Sequence, residues 1–507
     1  MPKPSTALLR CVAAAILASV VAVALAQQSR ELVIAIATDV STFDPHTHHS
    51  RQNTNVKVNI FDYPMLRDME GNLQPGVITH WEAVDDLTWR LLLRDDVLFH
   101  DGAQFTAEDV KYTLERVALD ESLMQHPFFN QIASVEIVGD FEVLVHSVAP
   151  DPLLPARLNR RGFIPRHYHE AVGDEEFARR PIGTGPFRMV EWRRDERIVL
   201  EAFDDYWQGR PAFDRVIFRV IPEASTRVAE VISGGVHIAP VLAQDIARVE
   251  SSGAAVVVSQ PVSRVMLWYV NTDESVETGD PRVREAIEYA IDNDLIVEAL
   301  FDGYGTPTRG RITEGIAGAP AHYFGTTLYD PDRARELLAQ AGFAPGELTL
   351  KLQGARGRYP MDGETVEIIG AMLQEVGVNV EFEFSEWADF SERVWHGGDI
   401  QHMAYLGLGN SWYDGWFPLE PQTCTSTYFP ATNWCNEEFD ALVNAAEFEM
   451  DVERRLELLG AAFDIVIEER PIIAVHQLHD LIAVNRGVDW TPRPDEMLYV
   501  FDATPRE

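Results

Sequence analysis

This 507-residue chain is poor in lysine, poor in cysteine and, beyond its first 26 residues, free of long apolar runs. Its basic residues are almost all arginine, and past the leader only Lys57, Lys111 and Lys351 remain as lysines. The formal net charge of −38 excludes the basic footprint that nucleic-acid binding requires. Acidic, arginine-rich composition fits a GC-rich genome and a salty habitat. It also fits an acidic field that steers cationic ligands. Catalytic signatures are missing as well. There is no G-x-S-x-G and no Walker A, His169-Glu170 lacks the second His of H-E-x-x-H, and Gly183-x-Gly185 continues Pro-Phe-Arg, unlike a dinucleotide fingerprint. His100-Asp101 can be written as a dyad, but a strand-end turn that uses Gly102 for its conformation explains it with less.

The one long apolar stretch, Val12 to Ala26, is shorter than the roughly 20 residues a membrane span needs. Lys3 and Arg10 precede it and Ala24-Leu25-Ala26 ends it in the A-x-A pattern, so residues 1–26 are expected to be a cleaved secretory signal. Cys11 leaves with it, and loss of Lys3 and Arg10 takes the charge from −38 to −40. The remaining 481 residues (507 − 26) should be soluble and are too many for one core, implying two or three lobes. Export to an oxidising compartment predicts a disulfide between the remaining cysteines, Cys424 and Cys435. Closing that short loop stabilises by about 3 kcal/mol in the chain-entropy model. Two lone thiolates make a poorer metal site.

From Glu31 the pattern alternates strand and helix, an α/β chain. Strands are expected at Glu31–Ala37, Trp89–Leu93, Val97–His100, Ile198–Ala202, Val216–Ile221, Val265–Asn271, Leu348–Leu352, Val378–Phe384 and Met403–Leu406. Val135–Val148 reads as a hairpin turning at Gly139-Asp140. Helices are expected at Ala107–Val117 behind an N-cap at Thr106, at Ala224–Ser233, from Pro281 to Ile291, at Arg333–Ala341 and at about Gly363–Glu375, with a short helix or turn at Asn59–Met65. The Gly/Trp/Pro-rich stretch Gly407–Pro430 is the one compositional break, and a long irregular segment in a compact protein is commonly functional.

Several segments together resemble the peptide/nickel family of ABC-transporter solute-binding proteins. They are Trp89 through Phe99-His100-Asp101-Gly102 to Val110, Gly183-Thr184-Gly185-Pro186-Phe187, Tyr206-Trp207-x-Gly209-x-Pro211, Asp280-Pro281-Arg282-Val283-Arg284 and Asp330 to Phe343. The resemblance spans nearly the whole exported chain. It implies a periplasmic-binding-protein type II-like α/β fold, with two lobes, a hinge and an extra inserted domain. Lobe I would comprise 27–55, 190–275 and 480–507, the inserted domain 56–189, and lobe II 276–479. It further implies a periplasmic, monomeric receptor without catalytic activity or cofactor. Such a receptor captures a short peptide or peptide-like zwitterion and delivers it to an inner-membrane ABC permease. Oligosaccharides, opines and nickel chelates are alternative ligands. An exported hydrolase or a chaperone on the same fold is the remoter alternative.

In dipeptide-binding relatives an Arg pairs with the ligand carboxylate and an Asp with its amino group, both charge-assisted contacts. Arg358-Tyr359-Pro360 matches the Arg segment, with Arg356 as a near neighbour. The Asp is expected after the strand Met403–Leu406, where this chain reads Gly409 or Asn410, with Asp414 as a substitute. Trp412, Tyr413 and Trp416 either wall the pocket or anchor this loop. Phe43, in the loop after the first strand, enters the same cleft, whereas Trp387 is assigned to the core. His46, His48 and His49 form a cluster that is either solvated or metal-binding, and no metal is assigned to it.

Overall fold

The computed structural model describes residues 30–47, 50–159, 161–426 and 432–506. The expected signal and two of the clustered histidines, His48 and His49, lie outside the described residues. No helix among the described residues is long and apolar enough to cross a membrane.

Two strands much longer than the rest, Ala255–Val270 and Ile472–Asn485, run antiparallel through the middle of an eleven-stranded sheet. On one side the sheet continues through Ile238–Pro240, Glu31–Ile36, Arg215–Val220, Arg197–Ala202 and Phe187–Arg193; on the other through Met403–Gly409, Thr349–Ala355 and Asn379–Ser385. The central pair is in register from Ala255↔Asn485 to Pro261↔His479, slips, and resumes at Val265↔Gln477. Pro261 has no N–H to give the ladder, so pairing weakens where the two halves of the sheet meet. Thr349–Ala355 runs parallel to both Met403–Gly409 and Asn379–Ser385, and Glu31–Ile36 runs parallel to Arg215–Val220. Strands covered by helices on both faces read as near-continuous apolar runs, and Leu32, Ile34, Leu350 and Leu352 are all fully buried.

A separate antiparallel sheet, Ile78–Asp85, Thr88–Leu93, Glu142–Ser147 and Ile132–Gly139, packs on the helix Ala107–Leu119. Thr106 and Asp109 close a capping box at the start of that helix. The core of this unit is drawn from Met65 to Phe163. Val56, Ile60, Phe61, Ile164 and Phe177 belong instead to the core around Leu32 and Ile198.

One expectation is corrected. Val97–His100 is no strand. It holds one bridge, Leu98↔Gln104, and then a turn with Gly102 at φ +86°. The short helix or turn expected from Asn59 begins as a turn directly after a helix at Arg51–Lys57, and the Asn59 side chain is held by backbone atoms of Asn55, Leu498 and Val500. The sequence markers meet here. The His100 ring lies 3.0 Å from the Gly185 carbonyl and accepts from Gly183 N–H, and the Asp62 carboxylate accepts from Tyr206 Oη (2.7 Å) and Trp207 Nε1 (3.0 Å). A side chain at Gly183 would strike the Ile60 carbonyl, so glycine is required for that approach. Burial lowers the His100 pKa to about 4 and raises that of Asp62 to about 7. These residues weld the small sheet unit to the large one.

Candidate functional site

Ligands of parallel α/β sheets bind in the crevice outside the carboxyl ends of the strands. Here three parallel strands end side by side, at Ala355, Ser385 and Gly409. The loop after Ala355 is shaped by Asp362, whose carboxylate accepts from the N–H groups of Gly357 (3.0 Å), Arg358 (2.8 Å), Tyr359 (3.0 Å) and Gly363 (2.8 Å). The Arg358 guanidinium lies over the Tyr359 ring at 4.9 Å and over Trp387 at 5.0 Å. It is half-buried, no carboxylate lies within ion-pairing distance of it among the described residues, and its Nε has no acceptor. The neighbouring Arg356 is exposed, paired with Glu367 and stacked at 4.0 Å over Phe384. Trp387, assigned from the sequence to the core, is half-buried beside Arg358. Tyr359 donates its hydroxyl to the Gly407 carbonyl (2.9 Å), and a Cβ at 407 would collide with Met266 Sδ and crowd the Tyr359 ring.

The loop after Gly409 is occupied with its own structure. Asn410 Oδ1 accepts from the N–H groups of Trp412 (3.2 Å) and Tyr413 (3.0 Å), and its Nδ2 donates to the Asp414 carbonyl (3.0 Å). Tyr413 sits at φ +57° in that turn. Asp414 is buried, and Arg455 donates to both its oxygens at 2.6 and 2.8 Å. Trp412 and Tyr413 are 4% and 5% exposed. Trp412 meets Phe128 edge-on at 5.5 Å and stacks parallel to Trp416 at 6.1 Å, while Arg67 donates to the Trp412 carbonyl (2.7 Å) and covers the Tyr413 ring at 4.8 Å. The aromatic cluster thus anchors the loop on the small sheet unit. Phe43 is fully buried against Trp192 at 4.9 Å in the core around Leu32. The expected disulfide Cys424–Cys435 is formed, with Cα atoms 4.8 Å apart.

Sequence reasoning missed an arginine group at the sheet's slip. Arg264 Nη1 donates to the Gly407 carbonyl (3.0 Å) and Arg311 Nη2 to the Gly409 carbonyl (2.9 Å). Carbonyls two residues apart on a strand are separated by roughly 7 Å. Two guanidinium groups at about that spacing repel by about 2 kcal/mol at an effective dielectric near 20. Arg51 grips both oxygens of Asp480 and lies 3.5 Å from Glu496, which also pairs with Arg264 at 3.4 Å. Two cations thereby meet two anions. Arg311, 6% exposed and stacked at 5.5 Å on Phe417, has no carboxylate partner among the described residues, and burial pulls its pKa down to about 10. It remains a cation at neutral pH. Nothing in Thr308-Arg309-Gly310-Arg311 distinguishes it from an ordinary loop arginine.

A second polar cluster brings ligand atoms of Asp44, His169 and Asp174 within 4.8 Å of one another. A cation already fills it. Arg116 donates to Asp44 (2.7 Å) and Asp174 (2.7 Å), and also to His46 Nδ1 (2.7 Å), whose Nε2 faces the Gly162 carbonyl (3.1 Å). Burial, with Arg116 adding to it, lowers His46 to about 3, so the ring is neutral and structural.

Residues 72–429 match the model of the bacterial extracellular solute-binding proteins, family 5 (middle region). The chain is 26% identical over 474 residues to the glutathione-binding protein GsiB of Salmonella paratyphi A, covering 90% of this chain and 91% of that one. It is 29% identical over 450 residues to heme-binding protein A of Haemophilus influenzae, covering 80% and 79%. The crystal structure of the ABC transporter substrate-binding protein CtaP from Listeria monocytogenes superposes with a TM-score of 0.86 at 21% identity, covering 94% of this chain and 100% of that one.

Proposed function

The chain belongs to the bacterial extracellular solute-binding proteins of family 5, and on that premise we propose that it is the periplasmic receptor of an ABC importer for short peptides or peptide-like molecules, gripped at a carboxylate by Arg358. Members of this family capture solutes for ABC permeases; they are not classed as enzymes. The observation that carries the ligand reading is Arg358, presented by an Asp362-braced loop at the carboxyl edge of three parallel strands with no carboxylate at ion-pairing distance among the described residues. A guanidinium is planar and always charged, and pairs with carboxylate through two parallel hydrogen bonds.

Capture follows from the two long strands. The slip between Pro261 and Val265 provides a place for the two halves of the sheet to swing, and a ligand that touches both halves stabilises the closed form. The moving bodies are drawn as lobe I (27–55, 190–275, 480–507) together with residues 56–189, of which Met65 to Phe163 supply the small unit's own core, and lobe II (276–479). The closed form then docks on an inner-membrane permease. The relatives' names include glutathione and heme, so likeness alone does not set the ligand.

The test is a thermal-shift screen of unfolded and refolded protein against di- and tripeptides, oligosaccharides, and Ni²⁺ with and without histidine. A ligand at 100 times its dissociation constant adds about 2.7 kcal/mol of stability. Silence from every peptide alongside a response to a sugar or a nickel chelate refutes the peptide reading.

A further inference from the structure

Arg311 is a buried cation with no carboxylate at ion-pairing distance among the described residues. Three of its five N–H donors, those on Nε and Nη1, meet no acceptor among those residues, and the group is held in place through Nη2 on the Gly409 carbonyl. A charge is seldom buried unless paired, so an unpaired one at the edge of a binding crevice marks a place for a ligand's charge. Glu420 is the acidic group whose field reaches Arg311. It lies beyond ion-pairing distance, and burial, with Glu447 nearby, raises its pKa above the ordinary carboxylate value. Arg51 and Arg264 are balanced by Asp480 and Glu496, which leaves Arg311 and Arg358 as the two cations around the Tyr359–Gly407–Gly409 edge with no ion-paired carboxylate among the described residues.

A zwitterion also needs an acid on its amino-group side. Asp414, the acid that chain order offers for that task, has both oxygens committed to Arg455. The crevice therefore suits a ligand with more negative than positive charge.

We propose that Arg311, with Arg264 beside it, forms a second anion subsite, so that the captured ligand carries two acidic groups: one for Arg358 and a further carboxylate, such as an acidic side chain, for Arg311. This rests on the receptor reading above and narrows its ligand class. Arg264 lies 6.0 Å from the Tyr359 ring centre and Arg358 4.9 Å, so the guanidinium group beside Arg311 and that of Arg358 border one and the same ring.

The experiment is calorimetric titration of ligand-stripped protein with Ala-Glu and Glu-Ala against the near-isosteric neutral Ala-Gln and Gln-Ala, and with glutarate against its monoamide. Wild type, R311M, R311K and R358M are compared, with circular dichroism confirming each fold. Wild type should prefer the acidic member of at least one peptide pair by about tenfold or more. R311M should bring that ratio close to one. R311K, which keeps the charge without the fork, should retain part of the preference, and R358M should weaken both members alike. Peptide binding with no acidic preference, or a preference that R311M leaves intact, overturns the subsite and leaves the peptide receptor standing. Absence of all peptide binding sinks the peptide reading instead. The glutarate pair then decides the subsite: a preference lost in R311M supports it, and no preference, or one that persists, overturns it. Should R311M not fold, R311K and R311Q carry the same comparison.

Discussion

Replacing Asp414 separates a structural role from a ligand contact. In the fold its carboxylate is held by two Arg455 hydrogen bonds of 2.6 and 2.8 Å, with the side chains only 11% and 8% exposed, and it also accepts from Trp416 N–H at 2.9 Å. Arg455 Nε is fixed on the Ala446 carbonyl at 2.9 Å, so the guanidinium cannot swing out to water without breaking a further bond. D414A thus strands a buried cation and orphans a backbone donor. Breaking a buried pair from one side costs about 3–5 kcal/mol. Removing both partners leaves neutral backbone groups unpaired instead, which costs about 1–3 kcal/mol. D414A/R455M should therefore recover about 2 kcal/mol relative to D414A. Denaturant unfolding followed by circular dichroism, with the midpoint and slope fitted for each variant, measures this directly. The reasoning is refuted if D414A shifts stability by less than about 1 kcal/mol, or if adding R455M makes it worse. An Asp that served chiefly to hold a ligand amino group would behave oppositely, with affinity lost and stability of the free protein nearly untouched.

Other outcomes follow from the same coordinates. R358A should weaken a carboxylate ligand by about 2–5 kcal/mol in calorimetry, because the ligand's charge is left unpaired on closure, and unchanged affinity would remove Arg358 from the site. His476 is buried on Phe301 with neither ring nitrogen bonded, and burial lowers its pKa to about 3, so protons bind the unfolded chain first. Its stabilising contribution is complete above the unfolded value near 6.5 and is lost as pH falls toward 3; relative to H476Q, wild type should lose about 1.4 kcal/mol per pH unit in that window, and parallel pH profiles would contradict this. Reducing Cys424–Cys435 should lower stability by about 3 kcal/mol, as read from unfolding midpoints with and without reductant, and equal midpoints would show that the loop is held by its other contacts.

Local rules made the fold's elements readable. Strands buried on both faces, a Thr106 capping box and helix ends at Gly234 and Gly342 in the left-handed region all leave marks within a few residues of themselves. Val97–His100 misled because β-type residues there precede a turn held by Phe99 N–H and Gly102 N–H within the same five residues. The site was legible only in part. Arg358 stood out because a family pattern surrounds it. Arg264 and Arg311 carry no local mark, since what singles them out is a shared dependence on Gly407 and Gly409, 143 and 98 residues away along the chain. The Asn410–Trp416 loop shows the converse. Its polar and aromatic residues look like a binding loop in sequence, yet folding spends them on Arg455, Arg67 and Phe128.

A charge of −38 surrounding a buried and a half-buried arginine, neither with a carboxylate partner among the described residues, is a physical tension with a functional reading. At physiological ionic strength exposed charges are screened over about 8 Å, so an acidic ligand feels the protein's overall repulsion mainly at its surface. Inside the crevice screening is weak, and Arg358 and Arg311 act at full strength over a few ångströms. Long-range steering therefore opposes an anionic ligand while short-range pairing holds it. Such a site gains selectivity from desolvated contact rather than from attraction at a distance. Arginine suits this task better than lysine, being less strongly hydrated and able to meet a carboxylate with a rigid fork, and Arg311 and Arg358 are fixed by a neutral carbonyl and by aromatic faces rather than by acids that would cancel them.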